Sequence, residues 1–260
     1  MTQPTRCPPR ASRSLYWRCL LLILCVVSSR LVADTQPYSI DAAAEKRIQA
    51  HFHSTGLSYP PERVQLIALK QSRRVEVWVW QANRWRHLHD YPVLAASGHA
   101  GPKLREGDRQ VPEGFYRIET LNPNSHFHLS LKLDYPNAFD WAHAMEDGRR
   151  EPGSNIFIHG SAWSAGCLAM GNRGVEELFA LAARIGTERM HVLIAPYDFR
   201  AQAIRVKRES PEWVSELYGY LKSRLGQFPL AFKHRVCEPE CRVVSERLTQ
   251  QGSLSELSGQ

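Results

Sequence analysis

No apolar run in this chain is long enough to cross a bilayer. The longest, Cys19 to Val27, has nine residues, against the roughly 20 that a spanning helix needs, and Ser28, Ser29 and Arg30 interrupt its extension toward Ala33. Acidic residues are missing from positions 1–33, which hold Arg6, Arg10, Arg13, Arg18 and Arg30. Those five arginines account for most of the formal charge of +7, leaving +2 for the rest of the chain. A nucleic-acid binder would carry a stronger and more clustered positive charge. The short basic groups elsewhere, Arg73-Arg74, Arg149-Arg150 and Arg205 to Arg208, read as solvated faces. A glycine-rich loop leading into Lys-Ser or Lys-Thr is also lacking, which disfavours a nucleotide site. Repeats and long low-complexity tracts are absent, and strands do not alternate with helices, which disfavours a Rossmann-like sheet. The pairs His51/His53, His87/His89 and His126/His128 alternate as on a strand face, but none has a third ligand at a suitable offset. They read as half-exposed strand residues, and neither metal nor cofactor is expected.

Residues 1–33 instead have the form of a secretory signal: an arginine-bearing start, the short apolar run, then smaller and polar residues. Cleavage is expected near Ala33. An uncleaved anchor is the alternative, because Leu31 stands where a small residue is usual. Leu24 before Cys25 is too large for a lipoprotein box. Cleavage removes Cys7, Cys19 and Cys25 and leaves Cys167, Cys237 and Cys241. The Cys237-Glu-Pro-Glu-Cys241 pair fits a small disulfide loop in an oxidising compartment, with two free thiols as the alternative. A zinc site with His234 lacks a fourth ligand nearby. Cys167 is the odd one out, and an unpaired thiol in an exported protein calls for a reason.

With 43% hydrophobic residues over 260 positions, the chain can form one sizeable core plus an appendage. Residues 34–61 read as an N-terminal arm with one helix, capped by Asp41. Val64 to Leu69, Val75 to Trp80, Arg84 to His89 and Tyr91 to Ser97 form a meander of short β-branched and aromatic strands. Residues 98–116, dense in glycine and proline, read as a long functional loop. Residues 121–125 read as a turn, 126–133 as a strand, and 134–153 as a polar excursion that could be a lid or substrate wall. A helix over 173–184 follows from Val175, Leu178, Phe179 and Ala182, with Glu176 and Glu177 near its start. Residues 189–195 give the last core strand. Residues 198–260 read as a helical C-terminal extension, with Trp213, Leu217, Tyr220 and Leu221 on the apolar face of its helix. The class is therefore mainly β or α+β, with a core domain over 62–197.

The chemistry concentrates between Ile156 and Met170. A buried strand stops at His159-Gly160, a loop of small residues follows, and Cys167 comes directly after Gly166. That layout holds a thiol near an imidazole. The bland alternative is an inert buried thiol and a satisfied core histidine. In the sharper reading Cys167 is a nucleophile and His159 its general base. The amides of Ala165, Gly166 and Cys167 would stabilise an oxyanion, and Ser164 would bond within the loop or orient the histidine. With no acidic residue beside His159, a backbone carbonyl would have to fix its tautomer. This is machinery for acyl transfer through a thioester, and it says nothing of the acceptor.

His159-Gly160 with Ser164-Ala165-Gly166-Cys167 resembles the catalytic signature of the L,D-transpeptidase family, the YkuD-type domain. Glu106-Gly107-Asp108, Pro112-Glu113-Gly114-Phe115-Tyr116, Leu121-Asn122-Pro123-Asn124-Ser125 and Tyr135-Pro136-Asn137-Ala138 resemble upstream landmarks of its YafK-like branch, so the likeness covers about residues 62–197. It implies a mixed, β-sandwich-like catalytic domain in the periplasm, acting on peptidoglycan. The family's cysteine attacks the carbonyl of a diaminopimelate residue in a stem tetrapeptide and expels the terminal D-alanine. The acyl group then passes to a second stem amine, a lipoprotein lysine or water. By position, Cys167 would be the nucleophile, His159 the base, and Ser164 and Gly166 shapers of the oxyanion loop. The expected partners are stem peptides, with a wall-anchored lipoprotein as a second. The chain departs from the common pattern in its short His-to-Cys interval and in Ala169, where many members carry a carboxylate-binding arginine. The branch shares these departures and includes an amidase that detaches a lipoprotein from peptidoglycan. Hydrolysis is the alternative to cross-linking, and a wall-binding module without activity is a lesser one.

Overall fold

The computed structural model describes residues 40–230. The expected leader with its cleavage site, His234, and the Cys237/Cys241 pair lie outside the described residues. Asp41 accepts the N–H of Ala43 at 2.9 Å and caps helix α1, Ala42–Thr55, the one helix expected of the arm. Its Ala44, Ile48 and Phe52 recur every four residues and are buried, the stripe an amphipathic helix presents to a core. Strands β1 (Val64–Leu69), β2 (Arg74–Gln81) and β3 (Arg84–Pro92) follow as the expected meander. The strand expected over 91–97 is divided. Tyr91 and Pro92 end β3, and only Ala95–Ala96 form β4.

The largest departure from expectation is β5, Gly114–Ser125, which crosses both the end of the expected loop and the expected turn. Tyr116, Ile118 and Leu121 are buried while Arg117 and Glu119 are exposed, a strand alternation that glycine and Asn-Pro punctuation hides locally. Pairing overrides that punctuation. Residues 114–117 lie against β9 (Met190–Ala195) and the rest against β6 (His128–Leu133), with a register shift beside Pro123. The polar excursion holds helix α2, Ala138–Glu146, closed at its start by a reciprocal Asn137–Asp140 capping box. Then come β7 (Phe157–His159), β8 (Leu168–Ala169), α3 (Gly171–Ile185), a single 3-10 turn at Thr187–Arg189, β9, and α4 (Trp213–Leu225).

The nine strands form one mixed sheet in the order β3-β2-β1-β9-β5-β6-β7-β8-β4. β1 with β9 and β7 with β8 are parallel, and the other pairs antiparallel. This is the mixed α+β architecture the sequence leads one to expect. Both faces of β1 are covered, so all six of its residues are buried. Val64, Leu66 and Ala68 join α1, α3 and the β5–β8 half in one apolar cluster. Ile67 and Leu69 pack on the other face with Leu217, Leu221 and Leu225 of α4. The buried stripe of α4 is Val214, Leu217, Tyr218, Leu221 and Leu225. The expected Tyr220 is 54% exposed, because it stands about 100° around the helix from Leu221 and away from the sheet.

Two of the three histidine pairs do not share a strand face as expected. His51 and His53 are on α1, and His126 is in the turn before β6. His87 and His89 do sit half-buried on β3, and His51 stacks on His89 with ring centres 3.8 Å apart. Among the described residues no group of three or more His, Cys, Asp or Glu is placed to hold a metal, and no helix there is long and apolar enough to cross a membrane. Glu177, one of the two acidic residues near the start of its helix, faces inward. It is buried on α3, where Arg47, His51 and the Tyr91 hydroxyl meet its carboxylate.

One polar knot joins α4 to the loop before β5. Glu113, 1% exposed, accepts Lys70 Nζ, the Gly101 N–H and the Tyr218 hydroxyl, each at 2.8 Å. Burial pushes the Lys70 ammonium down and the Tyr218 phenol up, opposed at Lys70 by the Glu113 charge. Glu113→Ala leaves a buried, unpaired lysine, and urea unfolding should show a loss of about 3–5 kcal/mol. Lys70→Met combined with Glu113→Leu should recover most of it.

Candidate active site

His159 ends β7 and is 2% exposed. Its Nδ1 lies 2.6 Å from the carbonyl oxygen of Gly160. A carbonyl can only accept, so Nδ1 carries the proton and Nε2 is left with a free lone pair. Burial lowers the imidazole pKa, with the Gly160 bond acting weakly the other way, so the ring is neutral near pH 7. The backbone carbonyl expected to fix the tautomer is thus that of the next residue.

The β7–β8 register pairs Ile158 with Leu168 and His159 with Ala169. Cys167 stands in the bend immediately before β8, so the chain that carries it enters the strand paired with that of His159. In this structure the Cys167 Sγ contacts the Asn155 carbonyl oxygen at 3.7 Å, and Asn155 holds a left-handed φ of 53°. Burial raises the thiol pKa, opposed in part by backbone hydrogen bonding and by the Lys103 charge. Both groups are therefore neutral at rest.

Ser164 braces the loop. Its hydroxyl donates to the Cys167 carbonyl at 2.7 Å, and accepts the N–H groups of Gly166 at 3.3 Å and Ser97 at 3.2 Å. It therefore bonds within the loop, and no bond joins it to His159. The Gly166 N–H is spent inside the loop, while those of Ala165 and Cys167 have no acceptor among the described residues. Gly166 has φ +124°, and a side chain there would begin 3.4 Å from the Gln110 carbonyl oxygen, so glycine admits both the turn and the close approach. Gly160 is needed for space: a first side-chain carbon would sit 2.6 Å from the Phe127 carbonyl oxygen and 2.7 Å from Asn172 Oδ1. Ala169, expected as a departure, is fully buried between His159 and Ala95 in the sheet.

Several contributors escape a sequence reading. Phe127, at the tip of the β5–β6 hairpin, stacks on His159 with centres 4.6 Å apart, and Trp163 stacks on Phe127 at 5.9 Å. Trp163 is 60% exposed. The signal for it was present, since it is the one large side chain in a run of small ones. Gln110 clamps the preceding loop, accepting the His99 N–H and donating to the carbonyls of His99 and Gly101. Asp108 turns the same loop by accepting the amides of Leu104, Arg105 and Gln110 and the Lys103 ammonium. Burial acts to raise its pKa, but these donors hold it below the usual carboxylate range.

Three comparisons bear on the arrangement. Residues 64–194 match the YkuD family, described as the L,D-transpeptidase catalytic domain. A protein of Escherichia coli (strain K12) named "Putative L,D-transpeptidase YafK" is 30% identical over 195 residues, covering 74% of this chain and 75% of that one. Among solved structures, the helical cell shape determining protein Pgp2 from Campylobacter jejuni aligns with a TM-score of 0.44 at 21% identity, over 62% of this chain and 57% of that one. Bd1075 from Bdellovibrio bacteriovorus aligns with a TM-score of 0.39 at 20% identity, over 66% and 57%.

The neutral resting pair has a measurable consequence. Alkylation of Cys167 by iodoacetamide should be slow at pH 7 and rise with pH through and beyond about 8.5, the ordinary thiol value. A preformed thiolate–imidazolium pair would instead give a flat, fast plateau from about pH 5 to 8.

Proposed function

Because this chain belongs to the YkuD family of L,D-transpeptidase catalytic domains, we propose that it is an exported cysteine acyltransferase acting on peptidoglycan stem peptides through a thioester on Cys167. The observation that carries the mechanism is the His159 tautomer: Nδ1–H is held by Gly160, which leaves Nε2 unprotonated, and β7 pairs with the strand that begins directly after Cys167. On substrate binding the thiol leaves the Asn155 carbonyl and gives its proton to Nε2 as Sγ attacks the stem carbonyl. The Cys167 amide, with that of Ala165, faces the charge that develops on the carbonyl oxygen. Collapse breaks the peptide C–N bond, and the departing amine takes the proton from Nε2. The acceptor amine then loses its proton to Nε2, attacks the thioester and releases the thiol.

Water as acceptor gives the hydrolase reading of the same site. The exposed rim at Trp163 leaves the acceptor side open to solvent. A wall-anchored lipoprotein released by that route would be the second partner.

Incubation with a tetrapeptide donor or a carbapenem should give a covalent adduct on Cys167 by intact-mass spectrometry, and none in Cys167→Ala. Folded wild-type protein that forms no adduct would overturn the reading in favour of a wall-binding module. His159→Gln should slow acylation by about 10²–10⁴-fold. Muropeptide analysis then separates the two acceptors: new dimers mean transpeptidation, and shortened stems or freed lipoprotein mean hydrolysis. An imidazolium cannot accept the thiol proton, so kcat/KM should fall as pH drops through the His159 pKa. Since burial lowers that pKa, the acid limb should lie below the ordinary imidazole value of about 6.5.

A further inference from the structure

Beside the cysteine loop lies a cleft of about 480 Å³ whose lining includes Arg73, Arg205, Lys207 and His99 and contains no aspartate or glutamate. The three cations come from distant parts of the chain. Arg73 is in the β1–β2 turn, with φ 47°, and Arg205 and Lys207 are in the segment between β9 and α4. All three are exposed, and none has an ion-pair partner among the described residues. Lys70, also in the lining, is already neutralised by Glu113. The sequence leads one to read Arg73-Arg74 and Arg205 to Arg208 as unrelated solvated faces. The fold brings members of both to one concave surface.

Lys207 Nζ stands 3.3 Å from Nδ1 of His99, which is itself 2.8 Å from the Ala100 carbonyl oxygen. The ammonium thus meets an imidazole and no carboxylate, and an anion held between Lys207 and Arg205 would pair with both cations.

The cleft also shares a wall with the candidate active site. Ser97, in its lining, gives its N–H to the Ser164 hydroxyl and has its own hydroxyl 3.1 Å from it. That same Ser164 hydroxyl holds the Cys167 carbonyl. A peptide whose carbonyl reaches Cys167 can lay a neighbouring side along residues 97–99. We propose that this cleft is a carboxylate-binding subsite, in which Arg73, Arg205 and Lys207 hold a free carboxylate of the peptide stem presented to Cys167. The assignment of the ligand rests on the acyltransferase reading above. The cationic cleft stands apart from it.

The test compares a tetrapeptide stem with its side carboxylates free and the same stem with them amidated. A charge-assisted hydrogen bond is worth about 1.5–3 kcal/mol, so wild type should show a KM roughly tenfold or more lower for the free acid, and that preference should shrink as salt rises. Arg205→Glu with Lys207→Glu should abolish the preference by raising KM for the free acid, with kcat for the amidated stem changed far less. Arg205→Gln with Lys207→Gln should do so in part, and Lys46→Glu, a charge reversal on α1, should keep the full preference. Thermal unfolding followed by circular dichroism separates loss of the subsite from loss of the fold. Equal KM values for the two stems in wild type would overturn the proposal. So would competition by inorganic phosphate with no effect of amidation, since the cleft would then serve a phosphate group. If wild type forms no acyl-enzyme at all, it is the acyltransferase reading that fails. Calorimetric titration of the Cys167→Ala protein with the two stems still tests the subsite, which falls if they bind equally.

Discussion

The hydrogen bond from His159 Nδ1 to the Gly160 carbonyl is the constraint on which the proposed chemistry depends. It places the only imidazole lone pair at Nε2 and needs no carboxylate to do so. A carboxylate partner would stabilise the imidazolium and favour a preformed ion pair with the thiol. A neutral carbonyl orients the ring with little of that effect, and burial then keeps both partners neutral. In the proposed mechanism the pair is armed by geometry rather than by charge: it spends its proton transfer on the reacting substrate, and its thiol is protected from adventitious oxidation while idle, since the thiolate is the reactive form.

A carbonyl from the very next residue can orient the ring only if the backbone there is rigid, and the surrounding structure supplies that rigidity. The β7–β8 pair is held on one side by β6 and on the other by β4. The space around Gly160 is closed by Phe127, His128 and Asn172. Asn172, in the first turn of α3, also accepts the Ser161 N–H at 2.9 Å, so the strand that carries His159 and the helix after Cys167 grip the same loop from both ends. Further out, Glu113 ties the loop that Gln110 braces to Lys70 at the end of β1 and to Tyr218 on α4. The C-terminal helix is therefore continuous with the support of the site, through two buried side chains and one face of β1.

Much of this was legible in the sequence because it is local. The β-branched strands, the Asp41 cap, the helix after the cysteine and the small-residue loop each announce themselves within a dozen residues. The thiol and the imidazole drew notice for the same reason, since only eight positions separate His159 from Cys167. What was hidden depends on pairing across long separations. β5 reads as loop and turn because Gly114 and Asn122-Pro123 are strong local punctuation. It becomes a strand when β9, some 75 residues later in the chain, offers an edge to Gly114–Arg117. Phe127 is one aromatic in a polar turn until the hairpin folds back over His159. His51, on a helix, meets His89, on a strand, and no periodicity in either segment records it.

Charge shows the same limit in another form. The sum over the chain without its first 33 residues is small, and read as a sum it argues against an anionic partner. Yet ion pairing is uneven: Arg47, Arg74, Arg184 and Arg200 are committed to carboxylates, while Arg73, Arg205 and Lys207 are not. A near-neutral protein with three unpaired cations gathered in one concavity attracts little at long range, because its far field largely cancels within a Debye length of about 8–10 Å. At contact it can still hold one carboxylate firmly. A long polyanion needs a continuous track of positive surface to release its counterions. A single carboxylate needs only two or three converging donors, and that is the scale on which this cleft is built.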